Sequence, residues 1–237
     1  MDHMRWQPAT IVAIRVETMR AKTFRFRLPS KSLHRAGQHY IVRLTAADGY
    51  TTTRSYSIAS APQRSCEFEL TVERLADGEV SGYLHEAAEV GDVVEVRGPV
   101  GGWFVWDGEH PALLIGGGSG VVPLMSMLRM ARETGRADLV RMIVSVRSPR
   151  ELLYAEELHG PDVVLVYTRE SAADATRPVG RLTADDLPKP LDPQATIYVC
   201  GSSEFVDAVA SLLMVSGAHR DRIRIERFGV TGYYPVV

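Results

Sequence analysis

The sequence predicts two domains, an N-terminal antiparallel β-barrel followed by a C-terminal α/β unit built on a parallel sheet. Many short runs in the first hundred residues alternate polar and apolar positions, and few have helical spacing. Later runs are short and wholly apolar, and they alternate with segments of helical periodicity, the pattern of a parallel sheet covered on both faces. A polar, turn-rich stretch, Asp107-Gly108-Glu109-His110-Pro111, separates the two patterns. The domains are accordingly placed at residues 1–107 and 108–237.

In the first domain, strands are expected over residues 10–16, 22–28, 40–44, 55–59, 67–74 and 93–96. Turn signals such as Asp48-Gly49 and Asp77-Gly78 punctuate them. One short helix is expected near residues 81–87. In the second domain, Leu113-Leu114-Ile115 reads as a buried strand. A helix carrying Val121, Leu124, Met125 and Leu128 on one face follows it. Strands over 142–146, 163–167, 196–200 and 222–226 alternate with helices over 150–158 and 204–216.

Composition narrows the function classes. Apolar residues make up 45% and charged residues 24%, as in ordinary globular proteins. A net charge of −2 argues against a nucleic-acid footprint over the whole surface. Cys66 and Cys200, the two cysteines, are too few for an iron–sulfur cluster and form no C-x-x-C pair. No apolar run is long enough to span a membrane, and the N-terminus lacks a signal-peptide core, so a soluble, cytoplasmic protein is expected. His34, His39 and His85 have no metal-ligand spacing. Phe104 and its neighbours Trp103 and Trp106 suit core or interdomain packing, the methionines from Met125 to Met130 suit a helix core, and Cys66 suits a small buried position.

Two segments carry chemistry. Gly116-Gly117-Gly118-Ser119-Gly120-Val121-Val122-Pro123 follows an apolar strand and opens a helix, the context of a Rossmann-like dinucleotide turn. Glycines let backbone approach a pyrophosphate, and a helix start offers free N–H groups. Gly117, Gly118, Ser119, Gly120 and Pro123 are therefore candidate contacts, the competing account being a strand-to-helix turn with no ligand. A serine nucleophile elbow is excluded because it needs glycine where Val121 stands. The next strand runs into Arg147-Ser148-Pro149-Arg150 with no acid before Glu151, which suits a 2′-phosphate. Arg169 supplies a second cation, so NADPH is slightly favoured over NADH. Solvated surface arginines are the competing account.

The other segment is Arg54-Ser55-Tyr56-Ser57, a cation, an aromatic face and two hydroxyls in four residues. Alone it reads as a cross-strand pair on a barrel exterior. Gly78-Glu79-Val80-Ser81 adds a second anion site, with Ser81 expected to cap the short helix.

With these motifs in view, the chain resembles the ferredoxin–NADP reductase superfamily of flavoproteins, of the ferredoxin/oxygenase reductase type without a fused 2Fe-2S domain. The resemblance spans nearly the whole chain and also rests on Gly98-Pro99-Val100-Gly101, Cys200-Gly201-Ser202 and Glu226-Arg227-Phe228-Gly229. It implies FAD rather than FMN, with Arg54 on flavin phosphate, Tyr56 stacked on the ring system and Ser55 beside them. Ser57 would approach N5, Ser81 with the backbone of Gly78 and Val80 would hold the pyrophosphate, and Arg74 would assist. Cys200 and Gly201 would lie beside the nicotinamide, with Glu226 and Phe228 on the reactive face, so that Ser57, Cys200 and Glu226 are the catalytic candidates. Hydride would pass from nicotinamide to flavin, and single electrons to a separate ferredoxin or oxygenase component. A flavin or small-molecule reductase of the same fold, or a flavin-binding subunit without turnover, are the alternatives. The chain departs from the family's usual Cys-Gly-Pro at Ser202, and Tyr233 and Tyr234 suit either a flavin cover or a loose terminus. No sequence feature sets the oligomeric state.

Overall fold

A computed structural model of the chain describes residues 5–173 and 175–228. Six strands, β1 (Gln7–Thr18), β2 (Ala21–Ser32), β3 (His39–Thr45), β4 (Thr51–Ser57), β5 (Ser65–Glu73) and β6 (Val93–Val100), form an antiparallel sheet in the order β4-β3-β6-β1-β2-β5. A bridge between Ile58 and Leu70, with Ala59 N–H donating to the Glu69 carbonyl at 2.8 Å, joins the two outer strands and closes the sheet into a barrel.

Alternation explains the barrel. Phe24, Phe26 and Leu28 point inward from β2, meeting Phe68, Leu70 and Val72 of β5 and Tyr40 and Val42 of β3. Phe68 stacks on Phe26 and Tyr40, with ring centroids 5.5 and 4.1 Å apart. Helix α1 (Glu79–Glu86) contributes Val80 and Leu84 to the same core. Thr23 and Thr71, directly paired on the barrel's outer face, are nonetheless buried, because the second domain covers them. Cys66, expected to be buried, is only partly so: it lies near the start of β5, outside the barrel core.

The second domain is a parallel sheet of β7 (Ala112–Gly117), β8 (Val140–Val146), β9 (Val163–Tyr167), β10 (Thr196–Gly201) and β11 (Ile223–Arg227), ordered β11-β10-β7-β8-β9. Helix α2 (Val121–Glu133) covers one face, and α3 (Ser203–Val215) covers the other through Val206, Val209 and Leu213. Both faces of β7 are therefore buried, which is why its sequence is apolar without alternation. The apolar cluster on the α2 side runs on into barrel residues Ala36 and Ala59 and junction residues Phe104 and Trp106, so the domains share one core surface. Trp103, in contrast, is 65% exposed, with Arg224 over its ring at 5.5 Å.

The helix expected over 150–158 does not form. A single 3₁₀ turn, Pro149–Glu151, is followed by irregular turns in which Tyr154 has φ of +55°. A side chain in that left-handed region ends any right-handed helix. The helix-like spacing of Leu152, Leu153 and Leu158 instead reflects burial against the shared core. No helix among the described residues is long and apolar enough to cross a membrane.

Candidate active site at the domain junction

Strand order places the site. Strand order turns back at β7: the chain moves outward through β8 and β9 and then crosses to β10 on the other side. The connections therefore leave the carboxyl ends of the parallel neighbours β7 and β10 in opposite directions, a switch point of the kind that receives ligands in open α/β sheets. The glycine turn lies at the end of β7 and Cys200-Gly201 at the end of β10, with Cys200 directly opposite Gly116.

Each glycine answers to a neighbour. A Cβ at Gly120 would lie 2.3 Å from the Cys200 carbonyl oxygen, and at Gly117 or Gly201 it would lie 2.7 Å from the Phe205 ring. At Gly116 it would sit 3.0 Å from the Cα of Val121. Gly118 differs: its φ is +55°, and nothing lies within 4 Å of where its Cβ would be. The turn is thus close-packed against β10 and α3 and open to a ligand at Gly118. Ser119 is half-buried beside it, and Pro123 occupies the first turn of α2, where a missing N–H is tolerated.

Past β8 and β9 the backbones of Arg147 and Arg169 are tied together, the Arg169 and Glu170 amides donating to the Arg147 carbonyl at 2.9 and 3.0 Å. Both arginine side chains are exposed, with Ser148 half-buried alongside.

On the barrel side, Arg54 and Tyr56 stand opposite Val42 and Tyr40 in β3, on the core-facing side of β4. Tyr56 packs against the barrel core, whereas Arg54 reaches solvent and bonds the Thr53 carbonyl at 2.7 Å. Burial lifts the Tyr56 phenol well above its usual range, and the nearby Arg54 charge pulls it partly back. Ser55 and Ser57 point the other way; Ser55 is exposed and Ser57 is buried opposite His39. Burial also lowers the pKa of His39, favouring neutral imidazole there.

Helix α1 packs beside β3, β4 and β5, and begins two residues earlier than the sequence suggests. Gly78 is therefore its N-cap and Ser81 its third residue, not the cap. The Ser81 hydroxyl serves the preceding loop instead, accepting from Leu75 N–H and donating to the Gly78 carbonyl, both at 3.2 Å. A Cβ on Gly78 would come within 2.2 Å of that hydroxyl. Arg74 is exposed and paired with Glu86.

Matches to known proteins follow this division of the chain. An oxidoreductase FAD-binding domain matches residues 8–105, and an oxidoreductase NAD-binding domain matches residues 114–211. The chain belongs to the ferredoxin–NADP reductase-like flavoproteins. It is 34% identical over 231 residues to the glycine betaine monooxygenase reductase subunit of Chromohalobacter salexigens, covering 91% of this chain and 62% of that protein. The propane 2-monooxygenase reductase component of Rhodococcus jostii is 30% identical, over 74% of this chain and 51% of its own length. The chain thus spans only part of these relatives. The flavohaem-like FAD/NAD-binding domain of nitric oxide dioxygenase from Vibrio cholerae superposes with a TM-score of 0.85 at 26% identity, covering 94% of this chain and 98% of that one.

The donor set of the FAD-binding domain fits a phosphate-bearing cofactor: an exposed arginine on β4, with the N-terminal N–H groups of α1 on the neighbouring element. The open backbone at Gly118 fits the second dinucleotide in the same way. Ser202 also departs less than its identity suggests. Its φ of −62° is a value proline would hold, and its hydroxyl accepts from Phe205 N–H at 3.3 Å, capping α3.

At the corner between the domains, Cys200 pairs in register with Glu226, and Phe228 N–H donates to the Gly201 carbonyl at 2.8 Å. Burial, then the Glu226 charge, pushes the Cys200 thiol well up, so it stays protonated. Burial alone raises Glu226 to about 7 from its ordinary 4.5. Gly229, Tyr233 and Tyr234 lie outside the described residues.

Sequence reasoning missed the residues that tie these pieces together. Strand β4 continues through Ile58 to Ser60, and α2 grips that continuation. The Ser126 hydroxyl donates to the Ser60 carbonyl at 2.7 Å, and Arg129 donates to the Ala59 carbonyl at 2.9 Å. Arg129 also pairs with Glu69 and Glu157, at 3.1 and 2.5 Å. A lone arginine on the buried side of α2 is the available signal, and helical periodicity alone does not single it out.

Two outcomes are expected. Gly120→Ala should lower the unfolding free energy by about 2 kcal/mol or more in denaturant titrations, since the clash is with backbone. Between pH 4.5 and about 7 the folded protein keeps a proton on Glu226 that the unfolded chain has released, so stability falls as pH rises through that window. Glu226→Gln should remove up to about 3 kcal/mol of that pH dependence, measured by urea unfolding on either side of it.

Proposed function

We propose that the chain is an FAD-dependent NAD(P)H oxidoreductase that passes electrons singly to a separate ferredoxin or oxygenase component. The observation that carries this reading is the crevice at the β7–β10 switch point, where the glycine turn and Cys200-Gly201 meet in the same apolar cluster as Ala59, two residues past the barrel strand bearing Arg54 to Ser57. Relatives named as reductase components of monooxygenases support the class of acceptor. The domain boundary is placed after Asp107, in the loop between β6 and β7.

FAD, when bound, supplies the redox chemistry, taking up a hydride as an electron pair and releasing electrons one at a time. In this reading Arg54 neutralises its phosphate, Tyr56 offers a flat face for stacking, and Ser55 and Ser57 line the outer side of β4. The backbone N–H groups from Glu79 to Ser81 hold the pyrophosphate, while the Ser81 hydroxyl fixes the loop at Gly78 that aims them. Arg74 joins them once freed from Glu86.

On the other domain, Gly117 to Gly120 and Pro123 shape the diphosphate turn, and Cys200 with Gly201 borders the nicotinamide. Phe228 closes that corner. Glu226, titrating near 7, is able to hold or release a proton there at neutral pH. In this reading Arg147, Ser148 and Arg169, at the carboxyl edge beyond the turn, meet a 2′-phosphate and so favour NADPH slightly. A cytoplasmic location suits the two free thiols.

Anaerobic stopped-flow mixing of the yellow protein with NADPH and with NADH tests the reading. Flavin absorbance should bleach, and a one-electron protein acceptor should be reduced much faster than free flavin. Protein that stays yellow with both coenzymes is a binding subunit, and faster reduction of free flavin marks a small-molecule reductase. Arg54→Ala should weaken flavin retention by roughly tenfold or more, since a charge-assisted phosphate contact is lost, with little change in nicotinamide affinity. Replacing Arg147 and Arg169 together with Ala should narrow the NADPH-over-NADH preference by about tenfold; an unchanged ratio of kcat/KM would remove them from the 2′-phosphate site.

A further inference from the structure

Tyr154 is the one non-glycine residue with positive φ among the described residues, and it is buried. Such a conformation persists only where its surroundings hold it. Here the surroundings belong to the other domain. The Tyr154 hydroxyl reaches Thr71 Oγ1 at 2.5 Å, Thr71 Oγ1 reaches Thr23 Oγ1 at 2.7 Å, and Thr23 Oγ1 reaches Glu17 Oε1 at 2.6 Å. The Tyr154 backbone N–H then donates to Glu17 Oε2 at 3.3 Å, closing a ring of hydrogen bonds across the domain boundary.

The carboxylate fixes the sense of that ring. Glu17 only accepts, so Thr23 spends its proton on it, Thr71 donates to Thr23, and Tyr154 donates to Thr71. Every hydroxyl proton has one place to go, and losing the Tyr154 proton leaves Thr71 without a donor. Arg129 lies over the Tyr154 ring, 5.0 Å from its centroid, and holds the Ala59 carbonyl just beyond Ser57. Arg129 also belongs to α2, the helix that the glycine turn opens. The two halves of the active site are therefore joined through a short path, from the dinucleotide turn along α2 to the end of the flavin strand, and Tyr154 wedges that path against the barrel.

We propose that Tyr154 is a positioning residue for hydride transfer, its hydroxyl setting the register of the NAD-binding domain on the FAD-binding domain. The proposal rests on the oxidoreductase reading above. The reaction moves one hydride, two electrons and a proton, from the reduced nicotinamide in one domain to the oxidised flavin in the other. Its rate is sensitive to a misplacement of about 1 Å, so the junction rather than either binding site sets it.

The test uses the flavin-loaded protein with Tyr154→Phe and, from the barrel side, the isosteric Thr71→Val. Both variants should keep full flavin content and bind NADP⁺ within about twofold of wild type, since neither residue lies in a cofactor motif. Two things should change: anaerobic bleaching by NADPH slows by about tenfold or more, and calorimetric unfolding, expected as one transition in the wild type, separates into two as the domains uncouple. Wild-type bleaching in either folded variant overturns the proposal. So does loss of flavin, which would make the ring part of the cofactor site. If wild-type protein itself fails to bleach, the oxidoreductase reading falls, while the calorimetric traces still decide whether Tyr154 couples the domains.

Discussion

Arg129 is a cation set where two domains press together, and its geometry has consequences at both cofactor motifs. Its guanidinium meets Glu157 within its own domain, and Glu69 and the Ala59 carbonyl in the barrel. A buried ion pair of this kind adds little net stability over an apolar packing, because desolvation offsets most of the attraction. Removing one partner is another matter, since it strands a buried charge. The contribution of Arg129 is thus to orientation. It fixes α2 to the segment that continues β4, and with α2 comes the glycine turn at its start.

That constraint clarifies the glycines. A run of four glycines and a serine within five residues invites a ligand explanation for every position. The structure divides the work differently: Gly116, Gly117, Gly120 and Gly201 let β7, β10, α2 and the Phe205 ring approach closely, and Gly118 alone faces open space. Close packing here has a functional result even so. It brings the start of α2 up to the end of β10, so that the glycine turn and the Cys200 corner share one crevice. In the proposed reading a bare turn and a binding turn are therefore not competing accounts of this segment, since the same packing shapes the surface left open at Gly118.

Most of the fold was legible because each domain obeys one period. Alternation located the barrel strands, and apolar runs located the parallel ones, because neighbours in the sheet impose the same rule along a whole element. The failures share a different cause. Residues 150–158 have helical spacing, yet Tyr154 adopts φ of +55° to send its hydroxyl into the other domain. Ser81 looked like a cap and instead anchors the loop before the helix. In both cases a contact distant in sequence, or a single bond to a preceding loop, outweighs a local preference worth about 1 kcal/mol. Ser202 shows the converse, a changed residue whose backbone angle stays where proline would have put it.

The treatment of charge separates scaffold from site. At the junction, Arg129, Glu69, Glu157 and Glu17 are all matched by partners from the protein itself. Around the crevice the charged groups are matched differently. Arg147 and Arg169 are exposed at adjoining strand ends, and Arg54 bonds the carbonyl next to it and otherwise meets solvent. Glu226 is half-buried, and desolvation is the sole cause of its raised pKa. A carboxyl displaced this far by desolvation is the kind of perturbation that functional sites carry. In the reading proposed above, the charges at the junction hold the domains together, and the exposed Arg54, Arg147 and Arg169 meet the phosphates of the ligands.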